Sequence, residues 1–137
     1  MVSLYLAVDG DDVGRKIEFF IVTDQMELLS NFSHNFQSSM LWLAKTLSDE
    51  FNAKIIFNGG DSLLARLQSD AISVSRLESL RIEFASFSKS TLSFGIGDNS
   101  RQAYFALKLA KATGKDRIEI FQEYTSGETT TPCHSKR

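Results

Sequence analysis

Cysteine is all but missing from this 137-residue chain: the only one, Cys133, lies in a polar C-terminal stretch. An internal disulfide framework is therefore excluded, and the usage fits a reducing compartment. No apolar run approaches the roughly 18–20 residues of a membrane-spanning helix. The amino terminus is strand-like with Asp9 soon after it, unlike a secretory signal. A cytoplasmic protein with no membrane association is expected. A strong excess of one charge is also absent. The formal net charge of −2 lacks the basic surplus of a protein that grips long nucleic acid, so neither guide RNA nor DNA is expected as a partner. Small nucleotides stay open, since a few local lysines suffice for them. Of the two histidines, His34 has no Cys or His near it in sequence and His134 lies in the polar tail beside Cys133; no zinc site is read there, and no nucleophile–base triad is legible. What is present is ordinary for a globular domain: 42% apolar residues, 23% charged residues and 11 phenylalanines, enough for one well-filled core.

Periodicity orders the chain. Leu4-Tyr5-Leu6-Ala7-Val8 reads as a buried strand and Gly14–Val22 as a short helix. Asp24 and Glu27 have capping-box spacing ahead of a long helix whose apolar stripe runs Leu28, Phe32, Phe36, Met40, Leu43, Leu47 and Phe51. Lys54–Asn58 and Ser62–Leu67 flank a Gly-Gly turn and predict a tight hairpin. A third helix is expected over Ser69–Ser88, with Leu77, Leu80, Phe84 and Phe87 on one face, then a strand from Thr91 to Gly97. Ser100 is placed to cap a helix running to Thr113, stopped by Gly114, and Arg117–Gln122 forms a last strand. Residues 1–123 thus make one domain, and the polar tail 124–137 is expected to be disordered.

The order β-α-β-β-α-β followed by α-β predicts an α+β, ferredoxin-like fold: an antiparallel sheet with helices packed on one face. That topology brings the end of the first strand beside the hairpin turn. Asp9 and Asp61 are then neighbours at one rim. The fourth strand, taken as parallel to the first, delivers Gly95–Asp98 and the start of the last long helix to the same rim.

Two carboxylates so placed suit a hard divalent cation, whose shell substrate phosphates complete. The Gly10 carbonyl is placed to add a ligand. Gly59 and Gly60 let the hairpin backbone approach a triphosphate. The amides around Asp11, Asp12 and Gly14, opening a helix, suit phosphate oxygens. Lys108, Lys111 and Lys115 form a basic stripe at intervals of three and four. Each feature has an ordinary reading as well. Asp-Gly and Gly-Gly-Asp are common turns, a lysine stripe is usually a solvated face, and Gly95 and Gly97 can simply end a strand and allow close packing. Only the convergence on one edge favours a site.

The motifs Val-Asp-Gly-Asp-Asp-Val-Gly (8–14), Asn-Gly-Gly-Asp-Ser (58–62), Ser-Phe-Gly-Ile-Gly (93–97) and Ala-Tyr-Phe-Ala-Leu-Lys-Leu-Ala-Lys-Ala-Thr-Gly-Lys (103–115), in that order, resemble the minimal CRISPR polymerase family, or mCpol. These are stand-alone palm domains related to the large subunit of type III CRISPR complexes and, more distantly, to GGDEF diguanylate cyclases and class III nucleotidyl cyclases. The resemblance spans about residues 2–122. It implies a nucleotidyltransferase that uses Mg²⁺ or Mn²⁺ to make a cyclic di- or oligonucleotide from ATP, with pyrophosphate released, in bacterial anti-phage signalling. By position, Asp9, Asp61 and the Gly10 carbonyl correspond to the metal ligands, with Asp11 a third acidic participant. Asp12, Gly14, Gly59, Gly60, Ser62, Lys108, Lys111 and Lys115 fall in the nucleotide- and phosphate-binding set. Ser62 stands where the CRISPR subunits carry a second Asp and GGDEF enzymes a Glu; class III cyclases manage without that acid. Joining two nucleotides calls for two substrates face to face, so a homodimer with its site at the interface is expected. A hydrolase of the same fold and a non-catalytic nucleotide receptor are the alternatives.

Overall fold

In the computed structural model, which describes residues 3–122, five strands and four α-helices alternate: β1 (Ser3–Gly10), α1 (Val13–Val22), α2 (Met26–Phe51), β2 (Lys54–Gly59), β3 (Ser62–Gln68), α3 (Val74–Ser88), β4 (Leu92–Gly97), α4 (Ser100–Ala112) and β5 (Ile118–Ile120). The tail 124–137 lies outside the described residues. The strands form one sheet in the order β2-β3-β1-β4-β5, antiparallel except for the parallel β4–β5 pair. The expected α+β, ferredoxin-like arrangement is what forms. No helix among the described residues is long and apolar enough to cross a membrane.

Alternation along the strands decides which face each residue meets. Leu6 and Val8 of β1, Leu63, Ala65 and Leu67 of β3, and Leu92, Phe94 and Ile96 of β4 join one large core. The stripe Phe36, Met40, Leu43, Leu47 and Phe51 of α2 and Leu77, Leu80 and Phe84 of α3 fill it from the helix side. The ends of the expected stripes leave this core. Leu28 is exposed, and Phe87 packs edge-on against Trp42, centroids 4.9 Å apart. The helices of the βαββαβ unit thus share one face, as the pattern requires. The appended helix α4 lies on the other face, where Ala103 and Leu107 pack on Ala7 with Tyr5 and Leu64 alongside. Gly95 and Gly97 make that close approach possible, because a Cβ on Gly95 would run into the Ala103 carbonyl and the Leu107 amide.

Three local expectations are corrected. The Asp24–Glu27 capping box does not form: Gln25 is the cap residue of α2, without a side-chain capping bond, and Asp24 takes φ 55°. Asn99, not Ser100, caps α4, accepting from the Gln102 amide at 2.8 Å. Most consequential is the direction of β4. Tyr5 pairs with Gly97 and Gly10 with Leu92, so β4 runs antiparallel to β1. The crossover through α3 makes β4 parallel to β3, and β3 is itself antiparallel to β1. Gly95–Asp98 and the start of α4 therefore sit at the far rim, and it is the end of α4 that returns to Asp9.

Candidate active site at the strand rim

The hairpin turn fixes the first acid. Gly59 pairs with Ser62, leaving Gly60 and Asp61 as the two central residues. Gly60 takes φ +61°, the left-handed conformation such a turn asks for at its first central position. The Asp61 carbonyl accepts from the Gly10 amide at 2.8 Å, which locks the turn to the end of β1. A Cβ on Gly10 would meet Val13 and Phe36 within 2.8 Å and the Asp61 Cβ at 3.3 Å, so only glycine lets the hairpin close here. One strand over, Asp9 pairs with Ser62. Both side chains leave the sheet on the α4 face, and Ser62 Oγ donates to Asp9 Oδ1 at 2.7 Å. Burial, and then the charge of Asp9, push the Asp61 carboxyl above the usual carboxylate range.

Helix α4 brings its last turn to the same point. Lys111 Nζ donates to the Gly10 carbonyl at 2.7 Å and to Asp11 Oδ1 at 2.9 Å, and lies 3.1 Å from Asp9 Oδ2. Burial alone would lower its pKa; the bonds to Asp11 and Asp9 outweigh that and raise it. Lys115 reaches Asp12 at 2.7 Å, and that hydrogen bond holds the Asp12 carboxyl below its usual range. Lys108 does not join this cluster. It is exposed, with Nζ 5.4 Å from the Tyr104 ring centroid.

Asp11 departs from a ligand role. It is 2% exposed and accepts from Ser93 Oγ and Thr91 Oγ1, both at 2.7 Å, from Lys111, and from the Asp116 amide at 2.9 Å. Burial raises its pKa, but these bonds and the Lys111 charge bring it below the usual value. The Asp116 bond pins a turn in which Gly114, Lys115 and Asp116 all have positive φ, so Asp11 fastens the segment that carries Lys115. Thr91 and Asp116 lie outside the motifs, and Ser93 opens one of them without a role assigned to it. The sequence signal of Thr91 and Ser93 is a pair of hydroxyls two apart at the head of an otherwise apolar strand.

The rim opens on two sides. A cleft of about 290 Å³ beside the hairpin is lined by Gly14, Ile17, Ser33, Gln37, Gly60 and Asp61 among others. The first-turn amides of α1 adjoin it, and no side chain caps them. On the α4 face, a groove of about 790 Å³ runs from Asp9, Ser62 and Lys111 past Lys108 and Tyr104 to Arg101.

Among the described residues, no group of three or more His, Cys, Asp or Glu could by itself hold a metal ion. The donor set is smaller: the Asp9 and Asp61 carboxylates and the Gly10 carbonyl. Two carboxylates close enough for one to raise the other's pKa call for a cation, and the Lys111 ammonium already stands in for one against Asp9 and Gly10. All-oxygen donors, few in number, suit Mg²⁺ or Mn²⁺, which keep water and take phosphate oxygens as further ligands. The residues fit the ion.

Comparison with known proteins agrees with this architecture. A family model described as the minimal CRISPR polymerase domain, mCpol, matches residues 5–121. The active GGEEF domain of a diguanylate cyclase from Vibrio cholerae superposes with a TM-score of 0.61 at 18% identity, covering 90% of this chain and 85% of that one. The GGDEF domain of YfiN from Pseudomonas aeruginosa gives a TM-score of 0.55 at 13% identity, covering 89% and 83%. Both likenesses are of fold. No curated protein matches the chain.

Proposed function

The chain belongs to the minimal CRISPR polymerase family, and from that premise we propose that it is a metal-dependent nucleotidyltransferase making a cyclic di- or oligonucleotide from ATP. The observation that carries the reading is the meeting of the Asp9 carboxylate, the Gly10 carbonyl, Asp61 and the Lys111 ammonium at one rim. Asp9, Asp61 and the Gly10 carbonyl would hold the divalent ion. Bound there, Mg²⁺ or Mn²⁺ supplies charge neutralisation and a lowered pKa at a ribose hydroxyl. The hydroxyl releases its proton to water and its oxygen bonds to the α-phosphorus in line as the bond to pyrophosphate breaks, and Lys111 and Lys115 meet the charge that leaves. Gly14 and the hairpin glycines Gly59 and Gly60 bring backbone amides within reach of the phosphates. Ser62 orients Asp9. Asp11 and Asp12 act through the two lysines they hold, and Lys108 lies along the groove beside the site.

A phosphodiester ring needs two nucleotides, and one rim presents one metal site. A twofold homodimer sets two rims face to face. Phe19, Ile21 and Val22 of α1, with Met26 and Leu28 of α2, are all about half exposed or more, and they offer the apolar surface for it. The product serves cytoplasmic anti-phage signalling, as the family resemblance implies.

The test is incubation of the protein with Mg²⁺ or Mn²⁺ and each ribonucleoside triphosphate, with products identified by mass spectrometry. The expected result is a cyclic adenylate that disappears in the Asp9→Ala, Asp61→Ala double variant. Ring-opened or diphosphate products would make the protein a hydrolase, and nucleotide binding without turnover would make it a receptor.

A further inference from the structure

Lys111 makes a second use of the oxygens assigned to the metal. Its ammonium is bonded to the Gly10 carbonyl and lies against Asp9 Oδ2, two of the three donors in the set. A divalent ion taking those oxygens needs the lone pairs and the space that the ammonium now has. The third donor, Asp61, makes no ion pair among the described residues, and by itself it is a single carboxylate. Metal alone therefore competes with a built-in cation for its own ligands, at a site where like charges repel.

The surroundings allow the ammonium to leave. Asp11, the partner that would lose most, keeps Ser93, Thr91 and the Asp116 amide when Lys111 departs. Lys111 is a half-buried side chain on the last turn of α4, so rotation about its own bonds carries Nζ away without moving the helix. A new anion must take up the charge. A polyphosphate chelating the incoming ion brings that anion to the same point.

From these contacts we infer that the site takes its divalent ion only as a complex with a polyphosphate, and that Lys111 enforces this. The ammonium fills the ion's place in the nucleotide-free chain and passes to the phosphates as the metal–nucleotide complex enters. This rests on the reading of Asp9, Gly10 and Asp61 as metal donors.

The experiment is Mn²⁺ binding to the full chain, followed by the loss of the free-ion electron paramagnetic resonance signal, without nucleotide and with a non-hydrolysable ATP analogue. Lys111→Gln keeps a donor near Asp11 and removes the charge; Lys111→Met removes both, and Lys115→Met is the control, since Lys115 is bonded to Asp12 instead. Thermal melts show which variants are folded. Mn²⁺ alone should bind weakly to the wild type and at least about tenfold more tightly to Lys111→Gln, with Lys115→Met unchanged. The analogue should tighten Mn²⁺ binding more in the wild type than in Lys111→Gln. Equal Mn²⁺ affinity in wild type and both Lys111 variants overturns the inference, as does tight binding of Mn²⁺ alone to the wild type. Adding Asp9→Asn to Lys111→Gln separates the two levels. If the gained affinity survives without Asp9, the assignment of the metal donors fails; if it vanishes, that assignment stands.

Discussion

Asp11 and Asp61 flank the same end of β1, and the fold treats them in opposite ways. Asp11 is 2% exposed, saturated by four donors and held below its usual pKa. Asp61 is half-buried beside another carboxylate, pairs with no cation among the described residues and is pushed above its usual pKa. One acid is consumed in joining β1, β4, α4 and the turn before β5. The other is left in need of positive charge. An acidic cluster read from sequence thus divides into a part that builds and a part that, on the proposed function, works, and the count of satisfied lone pairs makes the division.

Breaking the working half should give the largest effect. Asp61→Asn should cut product formation by about a thousandfold or more, the loss of several kcal/mol of charge stabilisation in the transition state. Its melting temperature should stay level or rise, because the change removes a charge that burial, and then Asp9, disfavour. Product quantification beside a thermal melt checks both. A large drop in melting temperature would make Asp61 a structural acid like Asp11 and abolish the contrast.

Breaking the building half should invert the pattern. Asp11→Ala strands two hydroxyls and the Asp116 amide and leaves the Lys111 ammonium with only the Gly10 carbonyl and Asp9, a loss on the order of 3–5 kcal/mol. For a domain of this size that is a fall of about 10–20 °C in melting temperature, read by calorimetry. Activity falls too, since the turn carrying Lys115 loses its anchor and Lys111 loses one of its three partners.

Acid titration of stability sharpens the same contrast, because the two shifts have opposite signs. Asp11's folded pKa lies below its usual 3.8. Its contribution is therefore present above that value and lost as pH falls through the lower, folded pKa. Asp61's folded pKa lies above 3.8. Its ionised form costs stability at neutral pH, and the cost is relieved as pH falls from the folded pKa toward 3.8. Any stability that Asp61→Asn gains over the wild type should therefore shrink on acidification across that window. Urea midpoints measured from pH 7 to pH 3 check it.

Much of this was legible before any coordinates. Helical and strand periods located nine elements, and the topology of β1, β2 and β3 alone put Asp9 beside Asp61, since a hairpin and one crossover leave little freedom. The direction of β4 is not legible from β1, because it follows from β3. The ordinary reading of Gly95 and Gly97, that they allow close packing, is the one that holds: they admit α4 rather than line the site. Lys111 and Lys115 were found from spacing, but spacing could not separate them from Lys108. A helix face tells which side chains align, not which of them meet a buried acid three elements away. Asp11 was misread for the same reason, as its donors lie 80 to 105 residues later in the chain.

The gentlest intervention is at Ser62. Its hydroxyl donates to Asp9 Oδ1 while Lys111 faces Oδ2, so Asp9 is the one acid here that shares both characters, partly satisfied by the fold and partly open. Ser62→Ala removes one hydrogen bond to a charged acceptor from a half-buried pair, worth about 1–2 kcal/mol. Asp9 keeps its charge and its place on the strand, so metal binding survives but the carboxylate is less well oriented. Product formation should fall about three- to tenfold. The Mn²⁺ concentration for half-maximal rate should rise, while the melting temperature moves by a few degrees at most. If activity instead collapses as far as in Asp61→Asn, the hydroxyl must touch the reacting groups directly. Ser62 would then belong with Asp61 on the working side.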